Sequence, residues 1–282
     1  MRGMPFVLAI SIPLVPVACT SEVETTGPME SHVKGNPPAM SLLTTIACGD
    51  QLTVDMTVDN DLTCVGDALA VVADGITINL NGHTIAGDGT GVGITMRGRS
   101  DVTIKGGTVR NFVTGIFVNT GTGVVIKENQ FTQNREGVFF AGTTGSVVKA
   151  NVAWQNLLRG IMIRPTGTGV LSTDNEIVEN ALADNPSGIL LFGQPANTIK
   201  GNTISGSTVA GLDLTGGGAS GNLFNGNLLI ANAAGIKFGA GWTGNSFIGN
   251  SLSANTCGLQ GTSTNNLFKD NVFSGNTSDI CP

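Results

Sequence analysis

Asparagine recurs at a fixed interval near the carboxyl end of the chain, and this repeat limits the folds that the sequence can adopt. The asparagines fall at every fifth position in triplets, and a cassette of one glycine and one aliphatic residue separates the triplets. The whole pattern recurs with a period of roughly 23 residues, which is in the range of solenoid repeats. In a solenoid each repeat packs only against its neighbours. The three triplets are Asn222, Asn227 and Asn232, then Asn245, Asn250 and Asn255, then Asn266, Asn271 and Asn276.

The glycine cassette continues toward the amino end of the chain. Successive cassette glycines are almost evenly spaced, except that the interval between Gly160 and Gly188 is longer than the others. Counting from these glycines gives two asparagine columns that run through the whole repeat region. The glycines are Gly93, Gly115, Gly137, Gly160, Gly188, Gly211, Gly235 and Gly258. The middle column is Asn129, Asn151, Asn175, Asn202, Asn227, Asn250 and Asn271, and the third column is Asn134, Asn156, Asn180, Ser207, Asn232, Asn255 and Asn276.

Each repeat predicts three short strands and leaves no room for a helix. The first and third residues after a cassette glycine are apolar, as in Ile116 and Val118, which is the period of a strand with one buried face. Two more short apolar runs follow in each repeat, such as residues 124–126. Three strands per repeat, each paired with its counterpart one coil away, form a parallel β-helix. Equal positions of successive coils then stack, so asparagine side chains can hydrogen-bond along the helix.

The first residues of the chain have the pattern of a targeting segment. In residues 1–19, Arg2 precedes an apolar run that is too short to span a membrane, which is typical of a signal peptide. The segment ends in Val-Pro-Val-Ala-Cys, which resembles a bacterial lipobox and implies a lipidated Cys19. Pro16 departs from that motif, and an ordinary secretory signal is the alternative. We therefore expect an extracytoplasmic protein, secreted or held on a bacterial membrane only through a lipid anchor.

Composition separates a tether from one elongated domain. Residues 20–40 are rich in Ser, Thr, Glu, Gly and Pro, which predicts a disordered tether. We expect the β-helix domain, with an amino-terminal cap, over residues 41–282. The net charge of −6 argues against nucleic acid as a partner, because its phosphate backbone requires a basic surface.

Four cysteines besides Cys19 lie in two pairs, one near each end of the predicted helix. Three pairings can be drawn for four cysteines. The length of the helix separates its ends, so we expect Cys48 to pair with Cys64 and Cys257 with Cys281. Disulfides require an oxidising compartment, in agreement with the targeting segment. No cysteine or histidine lies at the spacing of a zinc site, and we expect neither a metal nor a cofactor.

Residues 73–85 read Ala-Asp-Gly-Ile-Thr-Ile-Asn-Leu-Asn-Gly-His-Thr-Ile. Together with the segment between Cys48 and Cys64 and the coils that follow, they resemble the pectin-lyase-like β-helix superfamily. More narrowly, they resemble NosD-like and CASH-type repeat proteins. The resemblance covers roughly residues 44–282 and implies an all-β, right-handed, single-stranded parallel β-helix of about ten coils, each with a repeat of roughly 22–23 residues. The catalytic motifs of the superfamily's pectate lyases and polygalacturonases are not matched, and His83 is interpreted as a turn residue that bonds to the backbone.

Alternation along the first strand of each repeat predicts which residues face outward. The second and fourth residues after each cassette glycine point away from the core. Several of them are large and apolar, and a contiguous exposed apolar surface usually marks binding or association. We interpret this stripe as a sugar-stacking surface, with cover by a loop or by a second protomer as the alternatives. The stripe consists of Phe117, Phe139, Met162, Leu190 and Phe192.

Charged residues and the long coil indicate where a ligand would bind. Asp213 and Lys237 are expected to be stacked neighbours, as are Glu136 and Arg159. The extra residues of the long interval between cassette glycines are assigned to residues 181–187, as a longer loop beside the same face, because insertions in solenoids often build binding surfaces. The predicted ligand-binding residues are Arg164, Asp184, Phe192, Asp213 and Lys237.

Three classes of function are compatible with these features. The leading hypothesis is a non-catalytic module that binds polysaccharide or a cell-surface glycan. The alternative is a divergent polysaccharide lyase or glycoside hydrolase, for which the sequence assigns no catalytic residue. The third is a structural or adhesive surface protein, with oligomerisation through the apolar stripe. A glycan-binding screen combined with assays for cleaved products separates the three.

Overall fold

The described part of the chain is a β-helix. A computed structural model describes residues 43–282, so the predicted leader with Cys19 and the predicted tether over residues 20–40 lie outside the described residues. The described residues form a right-handed parallel β-helix of about ten coils, with three strands per coil, as the sequence predicts. They include no helix that is long and apolar enough to cross a membrane.

Each coil contributes one strand to each of three parallel sheets, named here sheets A, B and C, with strands numbered in chain order. Sheets A and B have 11 strands and sheet C has 10. Sheet A consists of β1 (Leu43–Thr44), β3 (Met56–Val58), β6 (Thr77–Asn79), β9 (Thr103–Lys105), β12 (Val125–Lys127), β15 (Val147–Lys149), β18 (Glu176–Val178), β21 (Thr198–Lys200), β24 (Leu223–Asn225), β27 (Ser246–Ile248) and β30 (Leu267–Lys269).

Sheets B and C follow sheet A around each coil. Sheet B consists of β2 (Gln51–Leu52), β5 (Leu69–Val71), β8 (Val92–Arg97), β11 (Thr114–Asn119), β14 (Glu136–Ala141), β17 (Arg159–Arg164), β20 (Ser187–Leu191), β23 (Ala210–Leu214), β26 (Ala234–Phe238), β29 (Cys257–Gln260) and β32 (Ser278–Cys281). Sheet C consists of β4 (Leu62–Thr63), β7 (Thr84–Ala86), β10 (Thr108–Arg110), β13 (Gln130–Thr132), β16 (Val152–Trp154), β19 (Ala181–Ala183), β22 (Thr203–Ser205), β25 (Leu228–Ile230), β28 (Ser251–Ser253) and β31 (Val272–Ser274).

The core is built from the apolar residues that the period of two predicts. Ile116 and Val118 are fully buried, while Phe117 between them faces outward. The cassette glycine is required by a close approach of neighbouring coils. A Cβ atom on Gly115 would lie 2.5 Å from the carbonyl oxygen of Gly137, so any larger residue would push the coils apart.

The asparagines form hydrogen-bonded ladders inside the turns. Asn227 is 1% exposed, and its side-chain nitrogen donates to the side-chain oxygen of Asn250 at 2.9 Å and to the carbonyl of Ile199 at 2.9 Å. Its side-chain oxygen accepts bonds from the backbone and side-chain nitrogens of Asn202, both at 3.0 Å. The predicted side-chain ladder is confirmed. The asparagines also satisfy turn backbone that strand pairing leaves without partners.

The long coil carries its extra residues in a different place from the prediction. Residues 142–146 connect β14 to β15, whereas the longer segment of residues 165–175 connects the equivalent strands β17 and β18. The prediction that residues 181–187 form the longer loop is therefore wrong, since β19 and the start of β20 lie there. Counting between cassette glycines measures the length of a coil but not the position of an insertion within it.

The same error displaced two asparagines in the predicted columns. Asn151 donates to Asn180, so Asn180 belongs to the middle column rather than to the third. Asn185 then belongs to the third column, where Asn156 donates to it. Asn175 belongs to the first column of the triplets. The insertion precedes all three residues in the chain. A count from Gly160 therefore assigns each of them to one column later than its own.

Two disulfides close the ends of the described helix, with the predicted pairing. Cys48 is bonded to Cys64, with Cα atoms 5.6 Å apart, and Cys257 is bonded to Cys281, with Cα atoms 6.1 Å apart. Each bond closes a short loop, which stabilises the fold by about 3 kcal/mol on the chain-entropy model. The terminal coils have a neighbour on one side only, so these crosslinks restrain the coils most prone to fraying.

Candidate functional site

A groove of about 430 Å³ crosses the outer face of sheet B over β14, β17 and β20. Its floor is apolar, because Phe139, Met162 and Leu190 occupy the same outward position of these three strands and pair in register. Arginine side chains and one carboxylate border this floor. The groove therefore offers an apolar surface and charged hydrogen-bond donors to the same ligand.

The apolar stripe is less exposed than the sequence indicates. Met162 and Leu190 are buried, at 6% and 3% exposure, Phe117 and Phe139 are half-buried, and only Phe192 is well exposed, at 45%. The prediction of a fully exposed stripe is wrong for the first four of these residues. They face outward as predicted, but Arg97 and Arg164 lie over the two phenylalanine rings, which alternation along a strand cannot indicate.

Two arginines cover the aromatic part of the floor. The guanidinium carbon of Arg97 lies 5.3 Å from the centre of the Phe117 ring, and that of Arg164 lies 5.0 Å from the centre of the Phe139 ring. The two rings are 4.9 Å apart. Neither arginine takes part in an ion pair among the described residues. Both cations therefore remain available to an anionic ligand.

Glu136 is the buried carboxylate of the groove, and it is held by arginine. Arg159 donates to its Oε1 atom at 3.1 Å, and Arg135 lies 3.8 Å from the same oxygen. The hydroxyl of Thr114 lies 3.5 Å from Oε2. The predicted stacking of Glu136 with Arg159 is confirmed. This carboxylate fixes the positions of two arginines, because a buried charge is stable only when paired and hydrogen-bonded.

Asp213 and Lys237 are neighbours in register, as predicted, but they do not form an ion pair within the described residues. Asp213 is buried and accepts hydrogen bonds from the hydroxyls of Ser187 at 2.8 Å and Thr215 at 2.6 Å. These hydroxyls satisfy the carboxylate, which explains why it tolerates burial without a cation. Both residues lie further along the outer face of sheet B than the groove.

The structure brings together only part of the predicted site. Arg164 and Phe192 line the groove. Asp184 does not, because it is exposed in the turn that follows β19, on the path from sheet C to sheet B. Glu136 and Arg159, which also line the groove, were predicted from the sequence only as a stacked pair. Both residues stand immediately before a cassette glycine. That position also faces the groove, and it was the sequence signal for their role.

The insertion in the long coil borders the groove, although in another segment than predicted. Residues 165–175 follow Arg164 directly, at the end of β17. The backbone N–H of Thr166 donates to the carbonyl of Val170 at 2.9 Å, which closes the loop. A Cβ atom on Gly142 would lie 2.6 Å from a Thr166 methyl group, so the loop packs on the turn after β14. The insertion thus begins at the end of the groove where Arg164 lies.

His83 lies on the opposite side of the coil cross-section from this groove, beside sheet C. Its Nδ1 atom is 2.9 Å from the Asp61 carboxylate, so its side chain pairs with an acid rather than with the backbone as interpreted from the sequence. A hydrogen bond from the Thr84 backbone, and then one from His83, hold the pKa of Asp61 below its usual range. This exposed pair supports a turn and contributes nothing to the groove.

Solved structures with the same architecture share the fold at low sequence identity. An alginate lyase from Paenibacillus sp. aligns with a TM-score of 0.60 and 15% identity, over 83% of this chain and 91% of its own. The mannuronan C-5 epimerase A-module of Azotobacter vinelandii aligns with 0.55 and 18%, over 83% and 77%. The exopolygalacturonase of Thermotoga maritima aligns with 0.56 and 9%, over 82% and 76%. Among curated proteins, no sequence matches the chain.

The fold and the groove thus define a pectin-lyase-like parallel β-helix protein with a ligand-sized groove across one sheet. Within that class, the sequence model of one family, described as "Periplasmic copper-binding protein (NosD)", matches residues 68–266. The chain belongs to this family.

The family's description names copper, so the question is whether the described residues could hold a copper ion. Copper sites in proteins are built from histidine, cysteine and methionine ligands. In residues 43–282 all four cysteines are in disulfides, and His83 pairs with Asp61. No group of three or more histidine, cysteine, aspartate or glutamate residues in this range could hold a metal. The methionines of this range, Met56, Met96 and Met162, are buried on three separate strands, β3, β8 and β17. The described residues therefore do not fit such a copper site.

Proposed function

We propose that this protein binds polysaccharide outside the cytoplasm, along the groove of sheet B, and does not cleave it. The observation that carries the proposal is an aromatic and aliphatic outer face on which Arg97 and Arg164, which have no carboxylate partner among the described residues, lie over the rings of Phe117 and Phe139. Sugars present apolar C–H faces to aromatic rings and hydroxyls to charged donors. The two disulfides support a location outside the cytoplasm. The alginate and polygalacturonate enzymes with this fold supply an analogy for the ligand class.

The acids of this face do not have the arrangement that glycoside hydrolysis requires. The two carboxyl groups of such enzymes lie between about 5 and 9.5 Å apart. Glu136 on β14 and Asp213 on β23 are three strands apart in sheet B, which separates them by about 14 Å along the helix. Glu136 is also paired with Arg159, and Asp213 is bonded to two hydroxyls. This geometry favours binding over the alternative of a divergent hydrolase.

The test uses polysaccharide binding together with a search for products. The mature chain is titrated with neutral and acidic polysaccharides, and each mixture is assayed for new reducing ends and for unsaturated uronates. Phe139→Ala removes part of the floor and is expected to weaken binding by about 1 kcal/mol, roughly fivefold. Trp154→Ala is the matched control, because Trp154 is a half-buried aromatic on the outer face of sheet C.

The outcomes separate the three functional classes. Binding that weakens in Phe139→Ala but not in Trp154→Ala, with no product formed, supports the proposal. Accumulation of reducing ends or unsaturated uronates contradicts it in favour of a hydrolase or a lyase. Failure of every polysaccharide to bind contradicts it as well, and leaves a structural or adhesive role.

We also propose that Cys19 anchors the domain to a membrane through lipid. A multiply acylated cysteine holds a hydrophilic domain at a membrane, because each buried methylene contributes about 0.8 kcal/mol. Incorporation of labelled palmitate is expected for the natural chain, and Cys19→Ser is expected to release soluble protein. A free thiol at Cys19 in soluble native protein would leave the secretory signal as the correct interpretation.

A further inference from the structure

We infer that the polysaccharide is a linear acidic one, lying parallel to the helix axis with two of its carboxylates bound by Arg97 and Arg164. This inference rests on the proposed function and names the class of its ligand. It is carried by two exposed arginines without carboxylate partners among the described residues, by the register of these arginines, and by the aromatic pair between their strands.

The outward strand residues of sheet B include more cations than acids, as do those of sheet A, although the chain as a whole carries a net charge of −6. The outward strand residues from β8 to β26 include four cations, and the only acids among them are Glu136 and Asp213. Both acids are already satisfied by Arg159 and by hydroxyls. Arg97 and Arg164 remain exposed and without a carboxylate partner in the described part of the chain. Such a face attracts an anion.

The two arginines occupy the same column of sheet B. Arg97 pairs in register with Asn119, Asn119 with Ala141, and Ala141 with Arg164. Three strand spacings therefore separate their backbones, which is about 14 Å. Both guanidinium groups lean toward the space between them, because one lies over Phe117 and the other over Phe139. The order of backbone positions along the axis is thus arginine, phenylalanine, phenylalanine, arginine, and each guanidinium group lies over the neighbouring ring.

This order matches an extended chain of uronic acids. One strand spacing is close to the length of one sugar residue in an extended polysaccharide, so three spacings correspond to three sugars. In the complex the two guanidinium groups move off the rings that they cover. The carboxylates that reach Arg97 and Arg164 then belong to sugars three residues apart, and the apolar faces of the sugars between them pack on the uncovered rings of Phe117 and Phe139. Guanidinium donors match the geometry of a carboxylate in bidentate fashion, which favours uronates over neutral sugars.

Two buried polar atoms next to this track have no partner in residues 43–282. They are the hydroxyl oxygen of Thr95 and the side-chain oxygen of Asn119. Thr95 is the register neighbour of Phe117, and Asn119 is the register neighbour of Arg97. An unsatisfied buried polar group needs an explanation, and a ligand is one. Movement of the Arg97 side chain toward a carboxylate would give sugar hydroxyls access to both atoms.

A second hollow extends the track beyond Arg97. It has a volume of about 270 Å³ and lies against Val72, Thr95, Arg97 and Arg99 on the same outer face. The larger groove begins at the other end of the aromatic pair, beside Arg164. Sugars on either side of the four that span the arginines would therefore lie in a hollow rather than on a flat surface. This arrangement favours a polymer as the ligand over a single sugar.

Isothermal titration of the mature chain with uronate oligomers, from the dimer to the hexamer, tests the inference. We expect affinity to rise sharply between the trimer and the tetramer, because the tetramer is the shortest chain that reaches both arginines. The carboxyl-reduced tetramer is expected to bind roughly tenfold more weakly, as is the natural tetramer to Arg97→Ala or to Arg164→Ala. Arg110→Ala, on the outer face of sheet C, is the matched control and should bind like the natural chain.

The inference and the proposed function fail in different ways. Equal binding of the natural and carboxyl-reduced tetramers would overturn the inference and leave polysaccharide binding intact. A steady rise of affinity with length, without a step at the tetramer, would overturn the placement of the two arginines. Tighter binding of a sulfated oligosaccharide of the same length would overturn the assignment to carboxylates. Absence of binding by any glycan would overturn both.

Discussion

Replacement of Asn227 by alanine removes one rung of the asparagine ladder at its centre. The Asn227 side chain makes four hydrogen bonds, two as donor and two as acceptor, and it is buried. Its neighbours above and below in the ladder are asparagines with the same pattern. The substitution therefore tests whether the ladders hold the coils together or merely fill the turns.

The loss of stability depends on which hydrogen bonds the partners of Asn227 keep after the substitution. The backbone N–H of Asn202 loses its acceptor, and an unsatisfied buried donor costs about 1–3 kcal/mol. The side chain of Asn202 keeps its bond to the Ile177 carbonyl, and the side chain of Asn250 still accepts from the backbone at position 227. The other three bonds are therefore lost at their net value of about 1 kcal/mol each. We expect Asn227→Ala to lower the free energy of unfolding by about 4–6 kcal/mol.

Urea denaturation followed by far-ultraviolet circular dichroism measures this change. Asn225→Ala is the matched control, because Asn225 is two residues away on the same coil but faces outward from sheet A. Its replacement is expected to change the free energy of unfolding by less than about 0.5 kcal/mol. If Asn227→Ala is within about 1 kcal/mol of this control, the ladder contributes little, and burial of the apolar columns alone accounts for the stability.

Two more perturbations test the hydrogen-bonding argument. Ser207 interrupts the third asparagine column, and its buried hydroxyl has no partner among the described residues. Ser207→Asn places an amide there that can donate to Asn232, so it should raise the free energy of unfolding by about 1–2 kcal/mol in the same urea assay. A lower free energy of unfolding would show that the turn cannot accommodate the amide. The backbone of Thr84 and the His83 ring lower the pKa of Asp61 from 3.8, so the folded value lies below the unfolded one. The resulting stabilisation is complete above the unfolded value and is lost as pH falls through the folded value. The difference in stability between the natural chain and Asp61→Asn should therefore shrink as pH falls below 3.8, and a difference that stays constant over that range would contradict the electrostatic origin.

The fold could be predicted because each coil repeats the same sequence pattern. A residue such as Ile116 is buried for the same reason as its counterpart Val138 in the next coil, and both follow a glycine that no larger residue can replace. The period of two within a strand and the regular interval between equivalent strands determine both the strand faces and the stacking. The end-local disulfides followed from the length of the helix. None of these inferences required knowledge of side-chain conformation.

The site was harder to predict because it depends on distances within the turns and on the directions of long side chains. The insertion after Arg164 cannot be distinguished by counting from one placed before Ser187, since both give the same interval. Met162 and Leu190 are buried although they face outward, which alternation along the strand does not predict. An arginine has several rotatable bonds, so the sequence could place Arg164 on the face but not over the Phe139 ring.

The interior ladders and the outer face are connected through the spacing of the coils. The distance between Arg97 and Arg164 depends on three strand spacings, and those spacings are held by backbone pairing and by the asparagine columns on the inside. The insertion at residues 165–175 does not disturb this distance, because it follows β17 and the register resumes with Val147 opposite Glu176. A ligand whose charges repeat at a similar interval is therefore recognised by a column of equivalent positions rather than by a closed pocket. Insertions are tolerated at the turns, where they can add a rim, but not within the strands, where they would change the spacing that the ligand meets.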